Sequence, residues 1–160
     1  LGRPVDATYC TVNTFRHLLT EQAARGHLKC VAASLRPGGI YLLGLHLLPS
    51  HAHPEDNARW TECRGQIKVT VTLRMLRIDL RHRIENLRVC LLVRRASKEL
   101  RLRHEFQLRT YTVRQFRRLL GSVPSLEVCN IYDSGYDIDQ PFAVNDRIAY
   151  CLFILRRRRS

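Results

Sequence analysis

The sequence is poor in several residue types and patterns that would narrow its class at once. It contains one methionine, one tryptophan and, among 27 basic residues, only the lysines Lys29, Lys68 and Lys98. No stretch approaches the ~18 consecutive apolar residues that a membrane-spanning helix needs, so we expect no membrane span. The first residues also lack the charged and then apolar order of a secretory signal, which predicts a cytoplasmic protein.

The cysteines form no CxxC pair. They stand singly, mostly within apolar stretches, at positions 10, 30, 63, 90, 129 and 151. This distribution is typical of buried thiols in a reducing compartment and not of a disulfide or zinc framework. His51 and His53 have a spacing that a metal can use, but no cysteine or acidic cluster completes a site. We therefore expect a flexible loop there and no metal.

Positive charge is what the sequence has in excess. Its 27 basic and 14 acidic residues give the 160-residue chain a net charge of +13, which favours binding to nucleic acid or another polyanion. Aromatic residues are not interleaved with the arginines as a base-stacking surface requires, and a solvated basic surface explains the charge equally. A non-enzymatic polyanion-binding module is thus an alternative function. The arginines at 156–159 form either an interaction arm or a frayed, solvated end.

The first third of the chain predicts a strand, a helix and a second strand. Val5–Thr11 is short and rich in β-forming residues, and apolar residues recur at helical spacing from Ala24 to Leu35, behind a good N-cap at Thr20. Pro37 ends that helix. The nearly continuous apolar run Ile40–Leu48 is typical of a strand covered on both faces of a parallel sheet. These elements predict a right-handed βαβ unit.

The rest of the chain predicts a different arrangement. A polar loop over Pro49–Cys63 precedes segments between Gln66 and Leu108 that alternate apolar and polar residues, with a turn near Arg94–Glu99. Alternation of this kind is typical of antiparallel strands with one buried and one wet face. Three further elements follow: a capped helix over Thr112–Gly121 and strands over Leu126–Tyr132 and Ile148–Leu155.

Taken as a whole, Val5–Leu155 resembles the second half of a class I S-adenosylmethionine-dependent methyltransferase. The resemblance is carried by the segment Val5–Thr20 with its Asn-Thr-Phe-Arg-His-Leu run, by Leu28–Leu35, and by the junction Leu35-Arg36-Pro37-Gly38-Gly39-Ile40-Tyr41. It implies an α/β fold, namely the C-terminal half of a Rossmann-like methyltransferase sheet with an antiparallel β insertion. The implied boundaries are a strand-helix-strand core over 1–48, the insertion over 64–110, and a closing helix and β hairpin over 111–155.

The resemblance also implies S-adenosylmethionine as the cofactor and a small-molecule methyl acceptor. The family's Gly-rich loop, where the backbone passes close to the cofactor, has no counterpart after any predicted strand. We therefore interpret the sequence as a truncated C-terminal portion with weak or no cofactor binding of its own and uncertain activity. A remnant without function is a third interpretation. The strand over Val5–Thr11 would then be a bare sheet edge that favours self-association.

Candidate site residues follow the predicted strands, because ligands of open α/β sheets bind beyond the carboxyl ends of the strands. The resemblance implies that Cys10, Thr11, Asn13 and Phe15 contact the cofactor; the alternative for Asn13 is to cap a short helix. His46 stands at the corresponding end of the next strand, as a general base or as a packed residue. Methyl transfer needs little acid–base chemistry, because the sulfonium is already an excellent leaving group.

Four further residues are candidates for substrate binding. Trp60 and Arg64 stand at the start of the predicted insertion, and the alternative for Trp60 is to anchor the preceding loop on the core. Tyr132 and Tyr136 flank an acidic loop, which suits a cationic substrate group or pairing with the arginines of the sheet face. The acids of that loop are Asp133, Asp137 and Asp139.

Overall fold

A computed structural model describes residues 3–48, 57–145 and 150–159. Within these ranges the chain forms eight strands, two α-helices and one 3-10 helix over Thr14–His17. The elements are β1 (Val5–Cys10), α1 (Glu21–Ser34), β2 (Leu35–His46), β3 (Asn57–Arg64), β4 (Ile67–Asp79), β5 (Ile84–Arg95), β6 (Lys98–Arg109), α2 (Val113–Gly121), β7 (Leu126–Tyr132) and β8 (Tyr150–Arg157). Residues 49–56 of the predicted loop, with His51 and His53, and the predicted strand start at Ile148 lie outside the described residues.

Both helices begin where their capping residues predict. The Thr20 hydroxyl accepts a hydrogen bond from the Ala23 amide at 3.1 Å, which caps α1. Thr112 and Gln115 form a reciprocal capping box at the start of α2. Such caps satisfy amide groups that have no partner inside the helix. The predicted helix starts are confirmed.

The Pro37-Gly38-Gly39 stretch lies inside β2 and not before it. Val5 pairs with Leu35 but Ala7 pairs with Ile40, so β2 carries extra residues that bulge out between the two pairs. Gly38 has a φ of 80°, and a Cβ on Gly39 would meet the carbonyl oxygens of Arg36 and Asp6 at 2.9 and 3.0 Å. The predicted strand start at Ile40 was wrong because the bulge lets pairing begin at Leu35.

A four-stranded sheet in the order β1-β2-β8-β7 positions the candidate site. β1 and β2 are parallel, whereas β8 is antiparallel to both β2 and β7. The two helices cover one face of this sheet and form a single apolar core with it. On the other face Ile40 is 39% exposed and Leu42 is half-buried. Gly44 on this second face is buried, so within the described residues the predicted burial of β2 on both faces is present only in part.

A second sheet has the order β3-β4-β5-β6, with antiparallel pairing of β3, β4 and β5. The predicted alternation is present, and Val71 and Leu91 are half-buried, but Leu100 and Leu102 of β6 are about half exposed. The predicted loop was wrong over Asn57–Cys63, which forms most of β3. The side chains of β3 are all exposed, so no apolar pattern marked the strand in the sequence.

The chain divides into two compact units. The first consists of Leu1–Ala52 with Arg109–Ser160 and contains the mixed sheet and both helices; the second is His53–Leu108 and contains the antiparallel sheet. The predicted boundaries at 1–48, 64–110 and 111–155 stay a prediction. No helix of the described residues is long and apolar enough to cross a membrane.

Two predictions about side chains need correction. All six cysteines are free, but only Cys151 is buried, and Cys30, Cys63 and Cys129 are exposed. The arginines at the end of the chain are not simply frayed, because Arg156 and Arg157 belong to β8. Arg156 pairs with Glu127 at 2.7 Å, and the Arg157 guanidinium donates to the Leu35 carbonyl.

Candidate functional site

A cluster of polar side chains lies at the carboxyl ends of β1 and β2. The two strands are parallel and adjacent, so their ends meet at one edge of the sheet. β8 begins at the same edge, where Tyr150 pairs with His46. The chain leaves β1 through a turn in which Val12 and Asn13 have φ angles of 54° and 66°. Positive φ is unusual for a β-branched valine, and strained backbone of this kind clusters at functional sites.

Asn13 connects this turn to the end of β2. Its Oδ1 accepts hydrogen bonds from the His46 amide at 2.7 Å and from the Arg16 guanidinium at 3.3 Å. Its Nδ2 lies 2.8 Å from Nδ1 of His46. Asn13 is the N-cap of the 3-10 helix, but its side chain makes no capping hydrogen bond. The alternative that Asn13 only caps a helix is therefore wrong, since its side chain hydrogen-bonds to His46 at the end of β2.

Arg16 supports the cluster through its hydrogen bond to Asn13. Arg16 was not identified as a site residue in the sequence. Its side chain is buried, and its Nε donates to the Arg109 carbonyl at 2.9 Å. Arg109 in turn donates to the Leu19 carbonyl at 2.6 Å and lies 3.6 Å from the Glu21 carboxylate. A buried arginine needs such partners. The only signal for Arg16 in the sequence was its positive charge, because the other residues that follow β1 are apolar or uncharged.

His46 is held in a setting that disfavours its charged form. Burial of part of the ring lowers its pKa, and the positive charge of Arg16 lowers it further. The ring meets that of Tyr150 edge-on, with centroids 5.1 Å apart. The residue is nevertheless exposed, and the contacts with Asn13 and Tyr150 fix the orientation of the ring. Its role as a base stays a prediction.

Tyr150 and Tyr136 add two phenol groups to the cluster. The Tyr136 hydroxyl donates a hydrogen bond to the Tyr150 hydroxyl at 3.1 Å. Burial, followed by the neighbouring Tyr136, raises the pKa of Tyr150 to about 12, so the phenol is protonated at neutral pH. Gly44 leaves room for it, because a Cβ at that position would collide with the Tyr150 hydroxyl. Tyr136 was identified in the sequence, whereas Tyr150 and Gly44 were not.

The other predicted cofactor residues lie around the turn, two of them toward the core. Phe15 is 1% exposed and packs edge-on against Phe116. Cys10 is half-buried and lies near Tyr41, whose pKa is raised mainly by burial. The Thr11 carbonyl accepts hydrogen bonds from the hydroxyl and the backbone amide of Thr14. Contact of Cys10, Thr11, Asn13 and Phe15 with a cofactor stays a prediction.

The acidic loop is held together by its own backbone. Asp133 accepts a hydrogen bond from the Gly135 amide at 2.8 Å, and Asp137 accepts hydrogen bonds from the Asp139 amide at 3.0 Å and the Gln140 side chain at 2.7 Å. The predicted pairing of this loop with the arginines of the antiparallel sheet stays a prediction. Within their own sheet those arginines pair with glutamates; the pairs are Arg94 and Arg101 with Glu99, and Arg88 and Arg103 with Glu105.

The remaining predicted substrate residues lie apart from this cluster in the chain. Tyr132 is buried at the end of β7, where its hydroxyl donates to the Ile138 carbonyl at 3.3 Å and fixes the start of the loop. Trp60 and Arg64 belong to β3, in the second unit. Trp60 is 46% exposed, and the alternative that it anchors the preceding loop on the core stays a prediction. The described residues contain no group of three potential metal ligands.

Two solved structures superpose on nearly the whole chain. An S-adenosylmethionine-dependent methyltransferase from Clostridium acetobutylicum matches with a TM-score of 0.74 and 13% identity, over 99% of this chain and 60% of its own. A sugar N-methyltransferase from Streptoalloteichus sp. matches with a TM-score of 0.72 and 18% identity, over 99% and 58%. The chain has a methyltransferase fold.

A further structure with the methyltransferase fold has S-adenosylmethionine bound. It is an amino pentose methyltransferase from Micromonospora echinaspora involved in calicheamicin biosynthesis, with a TM-score of 0.70 and 19% identity over 98% of this chain and 60% of its own. No protein-family profile matches the sequence, and no curated protein sequence does. The chain spans about three fifths of the length of the structures it matches. The predicted α/β methyltransferase fold is confirmed.

Proposed function

We propose that this chain is part of an S-adenosylmethionine-dependent methyltransferase that acts on a small-molecule acceptor. The observation that carries the proposal is the superposition of nearly the entire chain on methyltransferases, including one with the cofactor bound. The polar cluster supports it, because it lies at the carboxyl edge of the sheet, where open α/β folds bind their ligands. The sugar and amino pentose methyltransferases among the similar structures favour a small acceptor.

The residues present fit part of the cofactor. The donors at the sheet edge suit its polar amino-acid end, but no glycine loop follows a strand there among the described residues. We therefore propose that the chain is the C-terminal portion of the enzyme and that it binds the cofactor weakly on its own. When bound, the cofactor supplies a methyl group on a sulfonium, ready for transfer.

Within this site, the chain's own residues mainly position and shield. Thr11 and Asn13 line the cofactor side, while Phe15 and Cys10 hold the turn against the core. Alignment of the reacting atoms and exclusion of water are the main requirements of methyl transfer. Tyr136 faces the acceptor side through its contact with Tyr150.

The other predicted binding residues also either hold the site in place or contact the acceptor. Tyr132 keeps the loop that carries Tyr136 in place, through its hydrogen bond to Ile138. Trp60 and Arg64 of β3 are also proposed to bind the acceptor.

The outer edge of β1 is proposed to pair with another polypeptide, either a second copy or the part of the enzyme that this chain does not contain. Among the described residues, β1 pairs with β2 alone. Tyr9 is 77% exposed and Val12 is 75% exposed beside this edge. The nucleic-acid alternative rests on net charge alone, and the pairing of sheet arginines with glutamates weakens it.

Titration of the ¹⁵N-labelled chain with S-adenosylhomocysteine tests the proposal. We expect amide shifts at Thr11, Asn13 and His46 that saturate only in the millimolar range. Adenosine is the matched ligand without the amino-acid part and should shift Asn13 and His46 less. Unchanged spectra up to millimolar ligand would contradict cofactor binding. Saturation at micromolar ligand would support the cofactor but contradict the proposal that this portion binds it weakly.

A further inference from the structure

The orientation of the Asn13 amide is fixed by two groups that can only donate. Its Oδ1 faces the His46 backbone N–H at 2.7 Å and the Arg16 guanidinium at 3.3 Å. Neither of these groups has a lone pair to offer. The oxygen must therefore be on that side of the amide, and the NH₂ group must be the one that faces the imidazole.

This orientation determines the protonation of His46. The Asn13 Nδ2 donates across 2.8 Å to Nδ1 of His46, so Nδ1 must present its lone pair. A proton on Nδ1 would place two N–H groups against each other. A neutral imidazole carries one proton, which then has to be on Nε2. The lowered pKa of His46 agrees with a ring that stays neutral.

We infer that Asn13 is a positioning residue that holds His46 as the Nε2–H tautomer, so that His46 donates a hydrogen bond to an oxygen of the bound ligand and does not act as a base. The unusual backbone of Val12 and Asn13 supports this, because positive φ at two successive residues aims the Asn13 side chain at β2. The inference rests on the proposed function for the identity of the ligand. The tautomer itself does not depend on that function.

The phenol pair beside His46 has the same donor character. Tyr136 and Tyr150 share one hydrogen bond, in which the Tyr136 hydroxyl donates to the Tyr150 oxygen. Two hydroxyl protons are present and the shared bond uses one. The edge therefore offers neutral N–H and O–H donors, which suit an oxygen acceptor such as a carboxylate or carbonyl. With no base at His46, the methyl acceptor has to bring a lone pair that is already free of its proton.

Long-range ¹H–¹⁵N spectra of the chain labelled in histidine test the inference. The His46 signals are assigned by their loss in His46→Gln. We expect Nε2 to be protonated and Nδ1 unprotonated, without any ligand present. A protonated Nδ1 in the unmodified chain would overturn the inference, whatever the outcome of the cofactor titration.

Two substitutions of Asn13 separate positioning from simple packing. Asn13→Asp replaces the donor with a carboxylate and should move the proton to Nδ1 and raise the pKa of His46 by about 1–3 pH units, against the opposing charge of Arg16. Asn13→Gly keeps the positive φ and should leave His46 exchanging between both tautomers. Asn130→Asp makes the same charge change on β7 and should leave the His46 signals unchanged. Wild-type His46 signals in Asn13→Asp would contradict the inference.

The source of the oxygen is identified in the same spectra. Addition of S-adenosylhomocysteine should shift the Nε2–H proton if the cofactor supplies the oxygen. If the methyl acceptor supplies it, sodium acetate as a simple carboxylate should shift the proton while S-adenosylhomocysteine does not. Both results support a donor at Nε2. No shift with either ligand contradicts the part of the inference that concerns ligand binding.

Discussion

At the scale of single residues, the polar cluster depends on the absence of a side chain at Gly44 as much as on the hydrogen bonds of Asn13 and Tyr150. Gly44 lies in β2 opposite Leu152, and the Tyr150 hydroxyl packs against its Cα. The Gly44 carbonyl also accepts a hydrogen bond from the Asn13 amide at 3.3 Å. The glycine therefore lets the phenol and the β1 turn come together over the same strand.

Gly44→Ala is expected to destabilise the chain by about 1–3 kcal/mol, because the new methyl group displaces Tyr150. Gly26→Ala is the matched control: Gly26 lies in α1, and a Cβ there meets nothing within 4 Å. The control should stabilise the chain by about 0.5–1 kcal/mol, since alanine favours the helix. Urea unfolding of both variants measures the difference. A Gly44→Ala chain as stable as the wild type would show that Tyr150 can move away at no cost.

At the scale of elements, the sequence best predicted those helices and strands that are determined by residues close together in the chain. The start of α1 at Thr20 and the strand Leu126–Tyr132 follow from capping and composition, and both are confirmed. β3 was missed because its pairing with β4 depends on a distant partner and leaves no burial pattern of its own. Likewise Asn13 and His46 were identified separately from their positions after strands. Their hydrogen bond depends on the register of β1 and β2, which the sequence does not display.

The contact between α1 and β2 predicts a dependence of stability on pH. His27 of α1 lies 2.9 Å from the Tyr41 hydroxyl of β2, and burial lowers the pKa of His27. The unfolded chain, with a histidine pKa of about 6.5, then binds more protons than the folded chain at mildly acidic pH. The free energy of unfolding therefore rises with pH in that window, reaches its full value above the unfolded pKa, and is lost as pH falls toward the folded pKa.

His27→Gln removes this titration and keeps a polar group beside Tyr41. We expect a shallower pH dependence of stability below neutrality, the change being at most about 1.4 kcal/mol per pH unit for one proton. Urea unfolding at a series of pH values measures it. Some slope should remain, since the pKa of His46 is lowered too, and His27→Gln with His46→Gln should reduce it again. An unchanged slope in His27→Gln would exclude His27 as a contributor.

At the scale of the whole molecule, the first unit is built from two separate segments of the sequence, and these segments are adjacent where the chain leaves and re-enters the unit. The Leu48 amide donates to the Tyr111 carbonyl at 2.8 Å, so the chain leaves this unit and returns to it at neighbouring positions. The core of the unit contains residues from both sides of the interruption, for example Leu28 and Phe116. The second unit has few buried side chains among its described residues; they are Thr70, Glu85, Leu87 and Leu108.

Replacement of residues 51–107 by a Gly-Ser linker of about six residues should leave the first unit folded, because its two chain ends are already adjacent. Arg109 is kept, since it binds Leu19 and Arg16. We expect a cooperative thermal transition by circular dichroism. Residues 53–108 produced alone serve as the counterpart and should show none, because a sheet without a core is marginal in water. Loss of the cooperative transition in the shortened chain would contradict the independence of the first unit.

The position of β8 has a consequence for how the protein is made. β8 follows β1, β2 and β7 in the sequence, yet it lies between β2 and β7 in the sheet. A ribosome therefore releases three strands of the sheet before the one that joins them. Until β8 emerges, the long apolar edge of β2 has no partner on that side, which is the condition under which nascent chains associate wrongly. A stop codon or frameshift that removes β8 would thus remove the middle of the sheet, and with it Tyr150, while leaving both outer strands to be synthesised.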